Sequence, residues 1–207
     1  MFFHKKFILA SNSKSRFHIL KNNKLNFRRV SPTCDEEVIK KKKIKEKLSP
    51  KKISLCLAKN KAASISKKYY NSLVIGSDTI IDLNNKIIEK AKNIKEAKIK
   101  LNKLSGNKHN IYSSAAAYYK NKLVWNATQK TTIKVRSLNK KEINEYLKKT
   151  DKSILLSVGC FQIEKEGPNI IENIKGDFFN VMGFPLFPFL VFLKKFKVKK
   201  WVRKKHM

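Results

Sequence analysis

Cysteine is scarce in this sequence and poorly placed for pairing. Its three cysteines, Cys34, Cys56 and Cys160, are odd in number and far apart. They allow neither a disulfide framework nor a C-x-x-C zinc pattern, and a reducing cytoplasm fits best. Long apolar runs are missing too. Behind Lys5-Lys6 only Phe7 to Ala10 is apolar, short of a signal core of ~7–15 residues. The longest run, Val181 to Leu193, carries Pro185 and Pro188 and is too short to span a bilayer, so no membrane partner is expected. Arginine supplies only five of the 48 basic residues, at positions 16, 28, 29, 136 and 203. With 15 acidic residues the formal charge is +33, but the lysines are scattered through every segment. Arginine is the usual bidentate reader of bases and phosphates, and no RNP-type aromatic motif or helix-turn-helix signature stands out. The charge therefore reads as a solvated basic surface that favours small anionic ligands over nucleic acid. A non-enzymatic nucleic-acid-binding protein remains the alternative from another class, suggested by that charge and by the tail Lys199 to Lys205.

What is present argues for a folded chain. Apolar residues make up 42% and there are 13 Phe, more hydrophobicity than a disordered chain carries. At 207 residues, roughly 70% of the unfolded surface can be buried. We expect one domain over 1–198, divided into two lobes, and a basic tail over 199–207.

Along the chain, Phe7 to Ala10 reads as a strand that breaks into the polar loop Ser11 to Arg16 and then a helix, Phe17 to Lys21. A loop entering a helix N-terminus favours an anion. Residues 31–52, with their Asp35-Glu36-Glu37 and Lys40 to Lys43 blocks, read as irregular and solvated. Ser49-Pro50 opens a helix to about Lys68. Leu73 to Ile81 reads as a buried strand interrupted at Asp78, whose carboxylate is costly to bury unpaired; the plainer reading is an Asx turn at a strand end. Asn84-Asn85 reads as a hairpin turn. Asn93 with Glu96, and Asn139 with Glu142, cap two further helices, the first ending at Gly106. Two long β segments, His109 to Tyr119 and Leu123 to Arg136, lie between them. A strand over Asn169 to Ile174 and a final helix from Pro185 to Phe196 complete the chain. Without strict βαβ alternation, the expectation is an α/β fold with a long mixed sheet and flanking helices.

Four polar groups fall at element ends: Ser11/Ser13/Arg16, Asp35/Glu36, Asp78 and Lys90, with Lys61 on the long helix as a fifth. Carboxylates that hold a hard divalent cation, together with several cationic side chains, are what phosphoryl chemistry requires.

The sequence resembles the Maf family of nucleoside triphosphate pyrophosphatases. Phe7 to Ser13 with Arg16 resembles L-A-S-x-S-P-x-R; Ser31-Pro32 and Asp35-Glu36 resemble V-S-P-x-x-D-E; Leu57 to Ala62 resembles L-A-x-x-K-A. Val74 to Thr79 matches V-I-G-[AS]-D-T, Ile88-Glu89-Lys90 the G-K-P region, and Leu104-Ser105-Gly106 with His109 the L-S-G-x-x-H. Gly176 to Leu186 matches G-D-Y-x-x-V-x-G-L-P-L. The resemblance implies hydrolysis of a nucleoside triphosphate to monophosphate and diphosphate, with a housekeeping role of keeping modified nucleotides out of nucleic acids. It implies a cleft between two lobes shared with the inosine-triphosphate pyrophosphatases, a homodimer, and a divalent cation, Mg²⁺ or Mn²⁺. Asp78 corresponds to the proposed general base. Glu36 and Asp78 are the candidate metal contacts, and Ser11, Ser13, Arg16, Lys61 and Lys90 would hold the triphosphate. An inosine/xanthosine-triphosphate pyrophosphatase on the same fold is the alternative enzyme.

Lys14-Ser15 replaces the Pro-Arg of the opening motif, leaving Arg16 as its one guanidinium. Ala91 replaces the Pro after Lys90, which loosens that turn. The selectivity positions are mixed. Thr79 resembles the dTTP/UTP branch, Glu164 the 7-methyl-GTP branch, and Ser15 neither, so the preferred base stays open. His109 reads as a hydrogen-bonded structural residue, Cys160 as a non-catalytic thiol, and Phe178-Phe179 with Phe184, Phe187 and Phe189 as core.

Overall fold

The computed structural model describes residues 6–204, with side chains through Phe196. The chain builds one seven-stranded mixed sheet in the order β2-β1-β3-β5-β6-β7, with β4 also paired to β3. β1 (Phe7–Ala10) lies parallel to β2 (Phe27–Val30) and to β3 (Val74–Leu83). β4 (Lys86–Ile88), β5 (Lys108–Tyr119), β6 (Lys122–Val135) and β7 (Ile171–Lys175) pair antiparallel. The two hairpin turns carry consecutive positive φ angles, at Asn84 and Asn85 and at Lys120 and Asn121. Such pairs match the strand twist.

Among the described residues seven α-helices surround the sheet: α1 (Lys14–Asn22), α2 (Glu36–Lys45), α3 (Pro50–Ser66), α4 (Ile94–Leu104), α5 (Lys140–Lys149), α6 (Phe178–Val181) and α7 (Leu186–Lys204). Alternate residues of the central strand feed opposite layers, as the twofold strand period requires. Val74 packs with Ala62 and Ile65 of α3. Its neighbour Ile75 packs with Ile19 and Leu20 of α1 and with Phe184 and Phe189. A separate cluster joins Ile81, Leu101, Ile133, Tyr146 and Phe161 around α4 and α5. With a small fourth cluster of Ile53, Leu57 and Ile80, the core divides into four clusters, to each of which β3 contributes.

Several expectations change. Residues 36–45 form α2 rather than an irregular stretch: Asp35 caps it by accepting from Val38 N, Glu36 and Glu37 occupy its first turn, and Lys42, Lys43 and Lys45 its last. That charge order complements the helix dipole. α1 begins at Lys14, three residues earlier than Phe17, because Ser13 caps it. The long helix ends at Ser66 rather than Lys68. Phe184 and Phe189 are core, but Phe178 and Phe187 are about half exposed, at 46% and 57%. The backbone of α7 continues to Lys204; residues 205–207 of the basic tail lie outside the described residues.

Candidate active site

The site forms where the edge of β3 is left open. β1 pairs with β3 only from Val74 to Gly76, and β4 takes the same edge from Ile81 to Leu83. Between them, Ser77, Asp78, Thr79 and Ile80 have β5 on one side and, among the described residues, no strand on the other. Asp78 is therefore mid-strand, not at a strand end as the apolar pattern suggested. The loop leaving β1 carries Ser11 to Ser13 and leads into Arg16 in the first turn of α1, and the turn leaving β4 carries Lys90, so both flank the gap.

α3 closes over this stretch because Gly76 has no side chain. A Cβ there would lie 2.2 Å from Ala58 O and 2.6 Å from Ala62 N. Asp78, two residues on and on the same face, then meets Lys61, whose Nζ donates to Asp78 Oδ1 at 2.7 Å. The same ammonium lies 2.7 Å from Glu36 Oε2, with only 5% of the Lys61 side chain exposed. The two carboxylates expected to share a cation thus converge on one buried ammonium. Asp35, grouped with Glu36 in the sequence, is spent on capping α2.

Arg16 is 7% exposed and has no carboxylate within salt-bridge range among the described residues. Its Nε donates to Gly183 O at 2.8 Å, Nη2 to Thr79 Oγ1 at 2.9 Å and Nη1 to Ser11 Oγ at 3.3 Å. A guanidinium has five N–H groups. Three are used on neutral oxygens, which leaves one on each terminal nitrogen, the geometry that grips a phosphate or carboxylate through two bonds. Burial lowers the pKa of Arg16, opposed by Asp78 and Glu36. Burial also lowers that of Lys90, reinforced by Arg16 and Lys61 and opposed by Asp78 and Glu36. Charges expected to act together therefore lie close enough to shift one another's protonation.

Ser13 accepts from Arg16 N as the cap of α1 and donates its own N–H to Ser11 Oγ. Ser15 donates to Glu164 Oε1 at 2.8 Å, joining two of the expected selectivity positions across 149 residues of sequence. The third, Thr79, turns its hydroxyl to Arg16 and Ser113. The turn at Ala91 is not loose: Lys100 Nζ donates to Lys90 O at 2.8 Å and Lys92 N donates to Glu96 Oε2 at 3.0 Å.

Sequence reasoning missed Ser113, Asn180 and the Gly183 carbonyl, all buried beneath Arg16. Serines inside an alternating strand and an Asn in a helix turn carry no local signal of such a role. His109 is 1% exposed but neither ring nitrogen makes a hydrogen bond; its ring packs tilted against Phe161, so the expected hydrogen-bonded histidine is a hydrophobically packed one. Cys160 is fully buried and burial pushes its thiol up to about 11, which suppresses thiolate chemistry. Among the described residues no group of three or more His, Cys, Asp and Glu gathers at metal-binding range, and no helix is long and apolar enough to cross a membrane.

The family model described as "Maf-like protein" matches residues 6–196. A 7-methyl-GTP pyrophosphatase of Bartonella henselae is 40% identical over 92% of this chain and 96% of its own length. Nucleoside triphosphate pyrophosphatases of Pelagibacter ubique and Caulobacter vibrioides are 36% and 34% identical, over 93% and 90% of this chain and 99% and 93% of theirs. A solved structure, the Ham1 protein of Staphylococcus aureus, aligns with TM-score 0.33 and 13% identity over 64% of this chain and 71% of its own, too slight a likeness to bear on the site. With its family model spanning nearly the whole sequence and relatives this similar over their full lengths, the chain belongs to the Maf-like protein family.

Proposed function

We propose that this protein hydrolyses the α–β anhydride of a nucleoside triphosphate, releasing the monophosphate and diphosphate. The observation that carries the reading is Arg16: a buried guanidinium fixed on neutral oxygens, with two free N–H groups, at the open edge of β3 beside Lys61 and Lys90. A desolvated guanidinium without a carboxylate partner is a strong seat for phosphate.

In this mechanism Arg16 and Lys90 hold the phosphate chain, with Ser11 and Ser13 shaping the loop around it. Lys61 orients Asp78 through Oδ1, leaving Asp78 Oδ2 to accept the proton of the attacking water. The water oxygen bonds to phosphorus, the anhydride oxygen leaves with the diphosphate, and the proton rests on Asp78. A positioned base of this kind contributes ~10²–10⁴ in rate.

The divalent cation fits these residues. Glu36 and Asp78 already converge on a single positive charge, and Mg²⁺ commonly takes one or two carboxylates plus water and substrate phosphates rather than an all-protein cage. Glu36 and Asp78 would hold it, Glu36 through the oxygen Lys61 does not engage and Asp78 without using Oδ2. When bound it supplies charge neutralisation to the phosphate oxygens.

For the base, the Ser15–Glu164 pair favours a guanine-type ring. Ionised Glu164 only accepts hydrogen bonds, and guanine presents N1–H and N2–H₂ donors together; three relatives are named 7-methyl-GTP pyrophosphatases. The same reading makes 1–198 the catalytic unit with 199–207 as a basic tail, and the working form a cytoplasmic homodimer that removes modified nucleotides. The direct test is diphosphate release from NTPs with added Mg²⁺ or Mn²⁺. Monophosphate and diphosphate in equal amounts are expected, and orthophosphate as the first product would reject the reaction.

A further inference from the structure

We propose that Ser113 and Asn180 are positioning residues for Arg16, acting through Thr79, so that the segment 177–183 sets the aim of the guanidinium fork. The proposal rests on the reading of Arg16 as a phosphate clamp.

The direction of each hydrogen bond follows from the one below it. Ser113 Oγ donates to Asn180 O at 2.8 Å. Its single proton is then spent, so in the 2.9 Å contact with Thr79 Oγ1 it is the acceptor. Thr79, having donated to Ser113, presents a lone pair to Arg16 Nη2 at 2.9 Å. The relay runs one way, from Arg16 through Thr79 and Ser113 to the Asn180 carbonyl. Bonds aligned head to tail in a dry interior polarise and strengthen one another. Ser113 and Asn180 are both 0% exposed.

Asn180 is itself over-determined. Its N donates to Asp177 Oδ1 at 2.9 Å, its Oδ1 accepts from Ser113 N at 3.2 Å, and its Nδ2 donates to Thr131 Oγ1 at 2.8 Å and Ile111 O at 3.3 Å. Three residues later Gly183 O accepts from Arg16 Nε at 2.8 Å. One short segment therefore grips Arg16 twice, directly at Nε and through the relay at Nη2. Without the Ser113 hydroxyl, the remaining acceptor for the Thr79 proton is Gly183 O at 3.3 Å. Arg16 Nε and Ser77 Oγ already occupy that carbonyl. Thr79 would then compete with Arg16 for it, and the fork would lose its aim.

A double-mutant cycle tests this, using inorganic tripolyphosphate titrated calorimetrically into the full chain, beside KM and kcat for NTP hydrolysis. Ser113→Ala is expected to weaken tripolyphosphate binding and raise KM about tenfold, the scale of one charge-assisted hydrogen bond. In an Arg16→Lys background, which lacks the fork, the same change should cost less than about twofold. Thr79→Val, which removes the relay at its middle, should reproduce the Ser113→Ala result and stands in if that variant does not fold. Additive losses in the cycle would overturn the proposal, because coupling through Arg16 is its content. A lowered Tm with unchanged tripolyphosphate affinity would overturn it equally, as a purely structural role. If the wild-type chain neither binds tripolyphosphate nor releases diphosphate, the reading of Arg16 itself fails and the inference falls with it.

Discussion

Gly76 and Asp78 stand two residues apart on one face of β3, and the bare Cα of the first lets α3 approach until Lys61 reaches the second. The two contacts are one arrangement: helix backbone at Ala58 and Ala62 against Gly76, then the 2.7 Å bond from Lys61 Nζ to Asp78 Oδ1.

Gly76→Ala should therefore damage stability and site together. A methyl group 2.2 Å from a backbone oxygen cannot be absorbed by a side-chain rotation, so α3 must move. We expect a loss of about 3 kcal/mol, at the high end for overpacking, from urea unfolding at neutral pH. Turnover per folded molecule should also fall, since Lys61 moves with the helix. A variant with wild-type stability would show that the helix is not held this closely.

Asp78→Asn keeps the shape of the side chain and its oxygen toward Lys61 but removes the charge that accepts a proton. Diphosphate release should drop by at least ~10², the lower range for a positioned base, with Tm within a few degrees of wild type. Turnover near the wild-type rate would take Asp78 out of the mechanism.

His109 predicts a pH dependence of stability. Burial lowers its pKa to about 4, against about 6.5 for an unfolded His. Between those values the unfolded chain binds a proton that the folded one does not, so stability falls as pH drops from 6.5 toward 4 and levels off below. The total is about 3 kcal/mol for a shift of that size. His109→Leu removes both unpartnered ring nitrogens; it should leave stability at pH 7.5 equal or higher and flatten this part of the profile. Urea midpoints measured from pH 4 to 7.5 on both proteins decide it.

Glu164→Gln probes base reading. Gln retains the size and one acceptor oxygen but breaks the acceptor-only match to a guanine edge. Across dTTP, UTP, CTP, GTP, 7-methyl-GTP and ITP, kcat/KM for the guanine-type substrates should fall about tenfold, on the scale of one mispaired polar contact, with smaller changes for pyrimidines. Preference for dTTP or UTP that survives the substitution unchanged would show that Glu164 does not read the base.

The local vocabulary of the fold was legible in the chain because it depends on short-range chemistry. The Asn139/Glu142 capping box, the Asn84-Asn85 turn, the Gly106 helix stop and the β1-to-α1 loop each need only a few neighbouring residues. The helix at 36–45 was misread as solvated and irregular because it buries no residue and so lacks the apolar period by which helices are recognised. Its acid-to-base charge order was the signal available.

Family membership was likewise carried by the order of motifs along the chain, as was the expectation that Arg16, Lys61, Asp78 and Lys90 serve one site. Tertiary structure alone decided what those residues do to one another. Asp78 gains an open edge because β1 ends opposite Gly76 and β4 ends opposite Ile81, and no run of residues encodes where a neighbouring strand ends. Lys61 joins Asp78 to Glu36 because a glycine on the strand meets alanines on the helix. Arg16 acquires its two free N–H groups because Gly183, Thr79 and Ser11, distributed over 173 positions from 11 to 183, take up the other three. Hydrogen bonds are spent by proximity in space, and proximity in space is settled only when the sheet closes around its core.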